Sequence, residues 1–384
     1  MKYHRPLTCL FASLGVSSGF SVTYKPLSLN GKILGVASAY KPITFGRLTI
    51  FQRKMSELSQ SEAIKALIDC PTIPLQNGMK HPAIGFGTYK VGFIPASASS
   101  AVASGGASGQ ERSAQECVSD ALTVGYRFLE CAEFYNNESS IGKAIESSGI
   151  PRKDLFLCSK VWTTTIEKGP DAIREQLEKT LADLGTSYLD MYIVHWPVPK
   201  HHVQAYATLV QFVKEGKVKS IGLSNYAVED YQELEEAGVL SEVPPVVNQI
   251  EINPFLYRRN TIEFFKSKGV TLQSYRSLRD GKSFDHPVLK KIALMQNKTT
   301  AQILGRWCVQ HGFVYMPKSV KKKRMVENAQ VFDFELSDEQ MAELDALTTP
   351  EALEAFLQLY RKCINRDTSK DGTLEGVKMN ITID

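Results

Sequence analysis

The chain has 384 residues, of which 43% are hydrophobic, and its formal net charge is +4. This length fits one large domain with extensions or two ordinary domains, and the small net charge gives no indication of bulk attraction to nucleic acid or to a membrane surface. Seven cysteines without a Cys-x-x-Cys pair argue against a disulfide framework or a structural zinc site, and they favour a reducing compartment.

The first 56 residues differ in composition from the rest of the chain. Residues 1–56 carry eight lysines and arginines and no acidic residue before Glu57. A basic, serine-containing leader without acidic residues is typical of an organelle-targeting segment, and ASA at 37–39 fits a small-residue cleavage site. Its apolar part, 10–22, is too short to span a bilayer. Residues 1–56 are therefore predicted to be a targeting or disordered leader, which leaves cytoplasm, plastid and mitochondrion open; the alternative is a chain that starts near Met55.

From about residue 72, short apolar runs alternate with amphipathic segments. The apolar runs are 83–86, 126–129, 155–157, 189–194, 218–223, 245–247, 270–272 and 313–316. The clearest helical pattern, 173–184, has its apolar residues on one face and ends at Gly185, and Thr299 with Gln302 predicts a capping box at the start of another helix. Eight strand–helix units over roughly 275 residues predict an α/β fold of the (β/α)8 barrel type.

A doubly wound nucleotide-binding sheet is the alternative fold. It requires Gly-x-Gly-x-x-Gly at a strand-to-helix turn. The most similar segment, GFGTYK at 85–90, lacks the third glycine and no helical pattern follows it directly. We therefore predict a barrel over residues 57–348.

Two further segments interrupt or follow the barrel pattern. Residues 91–113 are rich in Ala, Ser and Gly and are predicted to form a mobile loop insertion, because they have too little apolar bulk to pack. Residues 349–384 form a short C-terminal tail that begins with a helical pattern. Either segment could cover the mouth of the barrel or be peripheral.

Polar and aromatic residues follow the predicted strands in succession. In a (β/α)8 barrel, the carboxyl ends of the strands form the face that carries the chemistry. The residues at these ends are Glu130, Lys160, His195, Ser224, Asn225, Asn248, Gln249, Tyr275, Lys318 and Ser319, with Tyr135 in the loop after the second strand. Each residue alone is more often a solvated or internally satisfied group. Their occurrence at one rim predicts an active site.

Several motifs resemble the aldo-keto reductase family, over residues 73–347. Segment 130–135, ECAEFY, is similar to the first signature of the family, with Glu130 in place of aspartate. Segment 185–197 looks like the second signature, 216–226 resembles the run that enters the cofactor site, and 316–328 is similar to the phosphate- and adenine-binding signature. The resemblance implies an NADPH-dependent carbonyl reductase of the alcohol dehydrogenase (NADP+) type.

The resemblance also implies a catalytic tetrad of Glu130, Tyr135, Lys160 and His195. Reduction of a carbonyl by hydride needs a proton for the nascent alkoxide, and a tyrosine with a pKa of about 10 is a poor donor near neutral pH. We expect Lys160 to lower the pKa of Tyr135, and Glu130 to keep the lysine charged and oriented. His195 is expected to hydrogen-bond the carbonyl oxygen.

The implied cofactor is NADPH, which donates the hydride. We expect Ser224, Asn225 and Gln249 to hold the nicotinamide carboxamide and Tyr275 to stack on its ring. Lys318 and Arg324 can neutralise a 2′-phosphate, which favours NADPH over NADH. The predicted cofactor-binding residues are Thr88, Ser224, Asn225, Gln249, Tyr275, Lys318, Ser319, Val320, Arg324, Glu327 and Asn328.

The substrate is predicted to be a small-molecule aldehyde or ketone. The candidate substrate-binding residues are Tyr89, Trp162, His195 and Trp196. The segment between Pro197 and Val210 is short, so the long substrate loop of many family members is absent. An open pocket is therefore expected, which suits bulky or varied aldehydes but selects none of them. Arg276 stands where the family has serine before proline, so the pyrophosphate clasp is expected to differ.

Glu130 keeps a second hypothesis open. Glutamate retains the charge of aspartate but adds a methylene, and a misplacement of about 1 Å can cost on the order of 100-fold in rate. The alternative is a catalytically weakened, NADPH-binding regulatory or binding subunit. The presence of Tyr135, Lys160 and His195 favours catalysis. We expect a monomer without a metal site and without a nucleic-acid or membrane partner.

Overall fold

The computed structural model describes residues 70–92 and 112–368. The predicted leader 1–56, most of the loop insertion 91–113 and the end of the C-terminal tail lie outside the described residues. The domain boundaries predicted at these places therefore remain predictions.

Eight parallel strands form the centre of the described chain, and a two-stranded hairpin precedes them. The strands are β1 Thr72–Pro74, β2 Lys80–Pro82, β3 Phe86–Gly87, β4 Phe128–Glu130, β5 Phe156–Val161, β6 Met191–Val194, β7 Ile221–Ser224, β8 Val247–Glu251, β9 Thr271–Tyr275 and β10 Val314–Tyr315. In the sheet, β3 to β10 lie in chain order. Tyr315 N donates to Ala83 O, and Gly85 N donates to Tyr315 O, each at 2.9 Å, so the last strand also pairs with the segment before β3. The sheet closes on itself, and the predicted (β/α)8 barrel is confirmed.

Each of the eight predicted strands overlaps an observed one, but most observed strands end later. The ladder of β5 continues through Lys160, which pairs with Ile193, and that of β8 continues through Gln249, which pairs with Gln273. An apolar run stops at the first polar residue, whereas the backbone of these buried polar residues stays in the sheet. The strands therefore carry functional side chains themselves.

Helices surround the barrel. In the described residues they are α1 Ala114–Val124, α2 Glu138–Ser148, α3 Thr163–Glu167, α4 Pro170–Leu184, α5 His202–Lys214, α6 Val228–Glu236, α7 Arg259–Ser267, α8 Pro287–Gln296, α9 Thr300–Gln310, α10 Lys322–Ala329, α11 Asp338–Asp345 and α12 Pro350–Thr368. The predicted α4 ends at Gly185, with φ 65°, and the predicted capping box of Thr299 and Gln302 starts α9. None of the helices that the structure describes is long and apolar enough to cross a bilayer.

The hairpin β1–β2 closes the amino end of the barrel. Its strands pair antiparallel, with Thr72 opposite Pro82. The buried ring of His81 packs against Phe128 and Phe156, with ring centroids 4.7 Å and 4.3 Å away, and these are the first residues of β4 and β5. The opposite, carboxyl end of the barrel is therefore the end available for a site. The sequence reading missed this hairpin.

The C-terminal helix α12 packs across loops at the carboxyl end. Phe356 and Tyr360 are buried in a cluster with Trp196, which follows β6, and Leu256, which follows β8. Tyr360 Oη also donates to Asp230 Oδ2 at 2.7 Å. The helical pattern predicted at the start of the tail is thus present, and it covers part of the barrel mouth.

Candidate active site

Four polar side chains meet at the carboxyl ends of β4, β5 and β6. Glu130 is the last residue of β4, Lys160 lies near the end of β5, and His195 follows β6. Tyr135 ends a single 3₁₀ turn, Glu133–Tyr135, that follows β4. Lys160 is 0% exposed, Glu130 5%, and Tyr135 and His195 7% each. The structure thus brings the predicted tetrad together in a nearly dry environment.

Lys160 is the centre of the hydrogen-bond network. Its Nζ donates to Tyr135 Oη at 2.8 Å and to Cys131 O at 2.9 Å, and it forms an ion pair with Glu130 Oε1. These contacts use the three donors of the ammonium group. A buried lysine charge would be costly without a partner, and Glu130 supplies it.

Glu130 contacts the tyrosine as well as the lysine. Tyr135 Oη donates to Glu130 Oε1 at 2.9 Å, so one carboxylate oxygen accepts from both groups. Burial, followed by the negative charge of Glu130, raises the pKa of Tyr135 well above its ordinary value. The pKa of Tyr135 is therefore not lowered overall, although the Lys160 ammonium lies 2.8 Å from the phenol oxygen, because burial and the carboxylate act in the opposite direction. Tyr135 holds its proton firmly.

His195 is a neutral imidazole. Burial, followed by the positive charge of Lys160, lowers its pKa well below the ordinary value. Its ring centroid lies 6.0 Å from that of Tyr135, and its buried Nδ1 has no hydrogen-bond partner among the described residues. A neutral imidazole carries a single N–H donor, which suits a hydrogen bond to a carbonyl oxygen.

Aromatic rings surround these four residues. The ring of Tyr89 lies 5.1 Å from that of Tyr135, and the ring of Trp162 lies 4.9 Å from that of His195. Trp162 also stacks on Phe134, with ring centroids 3.9 Å apart. Sequence reasoning did not select Phe134, although its place within segment 130–135 was a signal. The predicted residues Tyr89 and Trp162 therefore line the site.

The carboxylate of Glu133 holds Trp162 in this position. Glu133 Oε2 accepts from Trp162 N at 2.7 Å, and Oε1 accepts from Thr165 Oγ1 at 2.5 Å, so the carboxylate binds the first turn of α3. Sequence reasoning missed Glu133 as well. Trp196 differs from the other aromatic candidates, because its ring packs beside Tyr360 of α12 at 6.2 Å. The pocket expected to be open is thus partly covered by α12.

The predicted nicotinamide-binding residues form one connected patch next to His195. Asn225 Nδ2 donates to His195 O at 3.0 Å, and Tyr275 Oη donates to Asn225 Oδ1 at 2.8 Å. Ser224 Oγ donates to Gln249 O at 2.9 Å. Gln249 Nε2 is bound internally, whereas its Oε1 has no hydrogen-bond partner among the described residues. This oxygen is available to accept from a carboxamide.

Thr88, the other predicted cofactor residue near the tetrad, is tied to its backbone. Thr88 Oγ1 donates to Glu130 O at 2.9 Å, and Asn137 Nδ2 donates to Thr88 O at 2.9 Å. The loop after β3 is thereby fixed beside the carboxyl end of β4. Thr88 is fully buried, so contact with a cofactor stays a prediction.

The predicted phosphate-binding segment connects β10 to α10. Lys318 and Arg324 are both exposed, so their charges are accessible to an anionic ligand. The other predicted residues of this segment, Ser319, Val320, Glu327 and Asn328, lie between or beside them. Among residues 70–92 and 112–368, no group of His, Cys, Asp or Glu could hold a metal ion.

The loop after β9 has an unusual backbone. Arg276, Arg279 and Asp280 have φ of 51°, 49° and 55°, in the left-handed region that non-glycine residues rarely adopt. Arg276 Nη1 donates to the buried Glu251 Oε2 at 3.1 Å, which fixes one side of the loop. The surrounding structure must hold such a conformation in place, which is common at ligand sites. Arg276, which differs from the family pattern, is thus held in a defined conformation.

Comparison with known families gives one match over most of the chain. A model of the "Aldo/keto reductase family" matches residues 83–349. The glyoxal reductase of Bacillus subtilis (strain 168) is 37% identical over 280 residues, which are 73% of this chain and 94% of that protein. The methylglyoxal reductase DkgA of Salmonella typhimurium is 35% identical over 283 residues, 72% of this chain and 94% of that protein.

Solved structures give a similar result. The structure of the aldose reductase from Schistosoma japonicum matches with a TM-score of 0.64 at 34% identity, and the match covers 73% of this chain and 94% of the Schistosoma chain. A Bombyx mori aldo-keto reductase in complex with NADP has a TM-score of 0.63 at 25% identity, with 73% and 93% covered.

Proposed function

The chain belongs to the aldo/keto reductase family, and we propose that it is an NADPH-dependent reductase of small aldehydes and ketones, foremost glyoxal and methylglyoxal. One observation carries this proposal. The hydroxyl of Tyr135, which holds a proton, is bound by the Lys160 ammonium at 2.8 Å and lies beside the neutral ring of His195. This is the set that protonation of a hydride-reduced carbonyl requires.

Tyr135 is the general acid in the proposed reaction. It gives its hydroxyl proton to the oxygen of the reduced carbonyl, and the phenolate that remains is stabilised by the Lys160 ammonium. His195 donates its N–H to the same oxygen and orients it. Glu130 keeps Lys160 charged in a buried environment. When bound, NADPH supplies the hydride.

The donors and acceptors of the site fit NADPH. Gln249 offers a free acceptor oxygen for the carboxamide, and Tyr275 offers an aromatic ring beside it. Lys318 and Arg324 offer accessible positive charges for a 2′-phosphate. The Bombyx mori relative whose structure contains NADP supports the same cofactor type.

The enclosure of the site favours small substrates. Tyr89, Phe134 and Trp162 form an aromatic wall beside Tyr135, and α12 covers the side next to Trp196. The match between this chain and the relatives named as glyoxal and methylglyoxal reductases extends over 94% of the length of each relative. This similarity supports two-carbon and three-carbon dicarbonyl substrates. Bulky aldehydes would have to displace part of this wall.

The test measures NADPH oxidation with a panel of aldehydes and ketones. We expect turnover with methylglyoxal and glyoxal, and we expect Tyr135→Phe to reduce kcat by about 10² to 10⁴ while the NADPH dissociation constant stays unchanged. The exposed-surface variant Glu116→Gln serves as a control for handling and stability. NADPH binding by the wild type without turnover of any carbonyl would contradict the proposal and support the binding-subunit alternative.

A further inference from the structure

A chain of hydrogen bonds runs through the interior of the barrel from its amino end, at the hairpin β1–β2, to the proposed cofactor site. His81 Nδ1 lies 2.7 Å from Pro82 O, and Gln273 Nε2 lies 2.8 Å from His81 Nε2. Gln249 Nε2 donates to Gln273 Oε1 at 2.9 Å and contacts Met316 Sδ at 3.7 Å. His81 and Gln273 are 0% exposed and Gln249 is 2% exposed, so water does not compete for these bonds.

The direction of every bond in this chain follows from its first member. Pro82 O can only accept, so His81 Nδ1 must carry the hydrogen. Burial lowers the pKa of His81 to about 4, so near neutral pH the ring is neutral and its Nε2 is an acceptor. Gln273 must therefore present its NH₂ group to His81 and its oxygen to Gln249. Gln249 must in turn present its NH₂ group to Gln273, which leaves its own oxygen for the site.

The directions of these hydrogen bonds are the same whichever way the amide oxygen and nitrogen atoms of the two glutamines are first assigned. Oxygen and nitrogen of a glutamine side chain are placed by their hydrogen-bond partners. Here a backbone carbonyl fixes the tautomer of His81, and the tautomer fixes both amides. The barrel geometry brings the two glutamines together, because Gln249 and Gln273 are direct partners in the register of β8 and β9.

We propose that His81 and Gln273 are positioning residues that lock the amide of Gln249 with its oxygen toward the carboxamide NH₂ of the bound nicotinamide. The inference rests on the proposed function, since it takes NADPH to bind beside Gln249. A locked acceptor distinguishes a carboxamide from a group of the same shape that lacks the NH₂ donor. Without the lock, the amide of Gln249 could rotate and present either end.

Three buried polar side chains in a barrel interior are a costly arrangement unless all of their bonds are made. Apolar residues of similar volume would fill the same space at lower cost. Neighbouring interior positions are indeed apolar, as Met191 and Val247 show. The polar chain therefore provides orientation at the site end rather than stability.

The experiment compares the binding of two cofactors. The probes are NADPH and its reduced 3-acetylpyridine analogue, in which a methyl ketone replaces the carboxamide, and their dissociation constants are measured by calorimetry. For the wild type we expect a preference for NADPH of about 3- to 10-fold, the range for one hydrogen bond. Gln273→Met keeps the side-chain length but removes the hydrogen bonds that link His81 to Gln249. We expect it to reduce the preference for NADPH to about one.

Two further variants make the test sharper. Gln302→Met removes a buried glutamine of the helix layer and should keep the wild-type preference. His81→Phe keeps a ring between Phe128 and Phe156 but removes the anchor, so it should weaken the preference in the same direction as Gln273→Met and provides a second route if that variant does not fold.

The outcomes separate this inference from the proposed function. A wild type that does not bind NADPH contradicts the proposed function itself. A wild type that binds NADPH and prefers it, together with Gln273→Met and His81→Phe variants that keep the same preference, overturns the positioning role alone. Loss of the preference in Gln302→Met would equally overturn it, because any buried glutamine would then have the same effect.

Discussion

Shortening Glu130 by one methylene tests the most unusual contact of the site. In the structure, Glu130 Oε1 accepts from Tyr135 Oη at 2.9 Å and also pairs with Lys160. Aspartate at this position would withdraw the carboxylate by about 1.5 Å, the length of one C–C bond. We expect Glu130→Asp to keep the ion pair, because a buried lysine needs its counter-charge and has a flexible stem, and to lose the bond to Tyr135.

The magnitude follows from the distance between the carboxylate and the phenol oxygen. With an effective dielectric constant of about 20, moving a unit charge from 2.9 Å to about 4.4 Å changes its interaction energy by about 2 kcal/mol. A hydrogen bond to a charged group is worth about 1.5–3 kcal/mol, which agrees. Tyr135 no longer has to give up this bond before it protonates the substrate. The chemical step is therefore expected to accelerate by about 10- to 30-fold.

The assay is a single-turnover measurement with enzyme saturated by NADPH and mixed with methylglyoxal. The rate of NADPH oxidation should rise in Glu130→Asp, and the basic limb of its pH profile should move to lower pH, because the pKa of Tyr135 falls when the carboxylate recedes. The same substitution in a Tyr135→Phe background should give no gain. An unchanged or slower single turnover, with wild-type NADPH affinity and melting temperature, would refute the reasoning.

Burial raises the pKa of the Glu138 carboxyl from 4.5 to about 6 in the folded protein. The folded state therefore binds this proton more tightly than the unfolded state does. The resulting stabilisation is complete below the pKa of the unfolded chain and is lost as the pH rises through the pKa of the folded protein. Glu138→Gln should raise the free energy of unfolding in denaturant titrations by about 2 kcal/mol near pH 8 and leave it unchanged near pH 4; equal effects at both pH values would exclude the carboxyl titration as the cause. Lys318→Ala with Arg324→Ala should weaken NADPH binding by at least about tenfold and NADH binding little, whereas Lys321→Ala with Lys323→Ala should change neither. An unchanged NADPH dissociation constant in the first pair would show that the 2′-phosphate binds elsewhere.

The barrel could be predicted from sequence because its strands are nearly continuous apolar runs, as expected for a sheet buried on both faces. The hairpin β1–β2 could not, because its strands of three residues carry no periodicity and His81 lies between Lys80 and a proline. His81 is buried because it packs against Phe128 and Phe156, which are distant in the chain. Tertiary packing, not local sequence pattern, places this histidine at the amino end of the barrel.

The proximity of the candidate site residues was predictable from the sequence, but their electrostatics were not. Strand ends indicate which side chains reach the rim, and the spacing of Glu130 and Tyr135 predicts that they lie close together. It does not indicate which group the carboxylate binds. That depends on the side-chain conformation of Glu130, whose single oxygen reaches both Tyr135 and Lys160. The sign of the pKa shift of Tyr135 was therefore beyond the sequence.

The geometry of these charges explains why burial dominates the acidity of Tyr135. The phenol oxygen lies 2.8 Å from the Lys160 ammonium and 2.9 Å from the Glu130 carboxylate. Opposite unit charges at nearly equal distances act in opposite directions on a developing phenolate. Burial, followed by the charge of Glu130, raises the pKa of Tyr135, and burial, followed by the charge of Lys160, lowers that of His195, so both groups face the site as neutral donors. We therefore expect the position of one carboxylate oxygen to determine how far Lys160 can assist the proposed proton transfer.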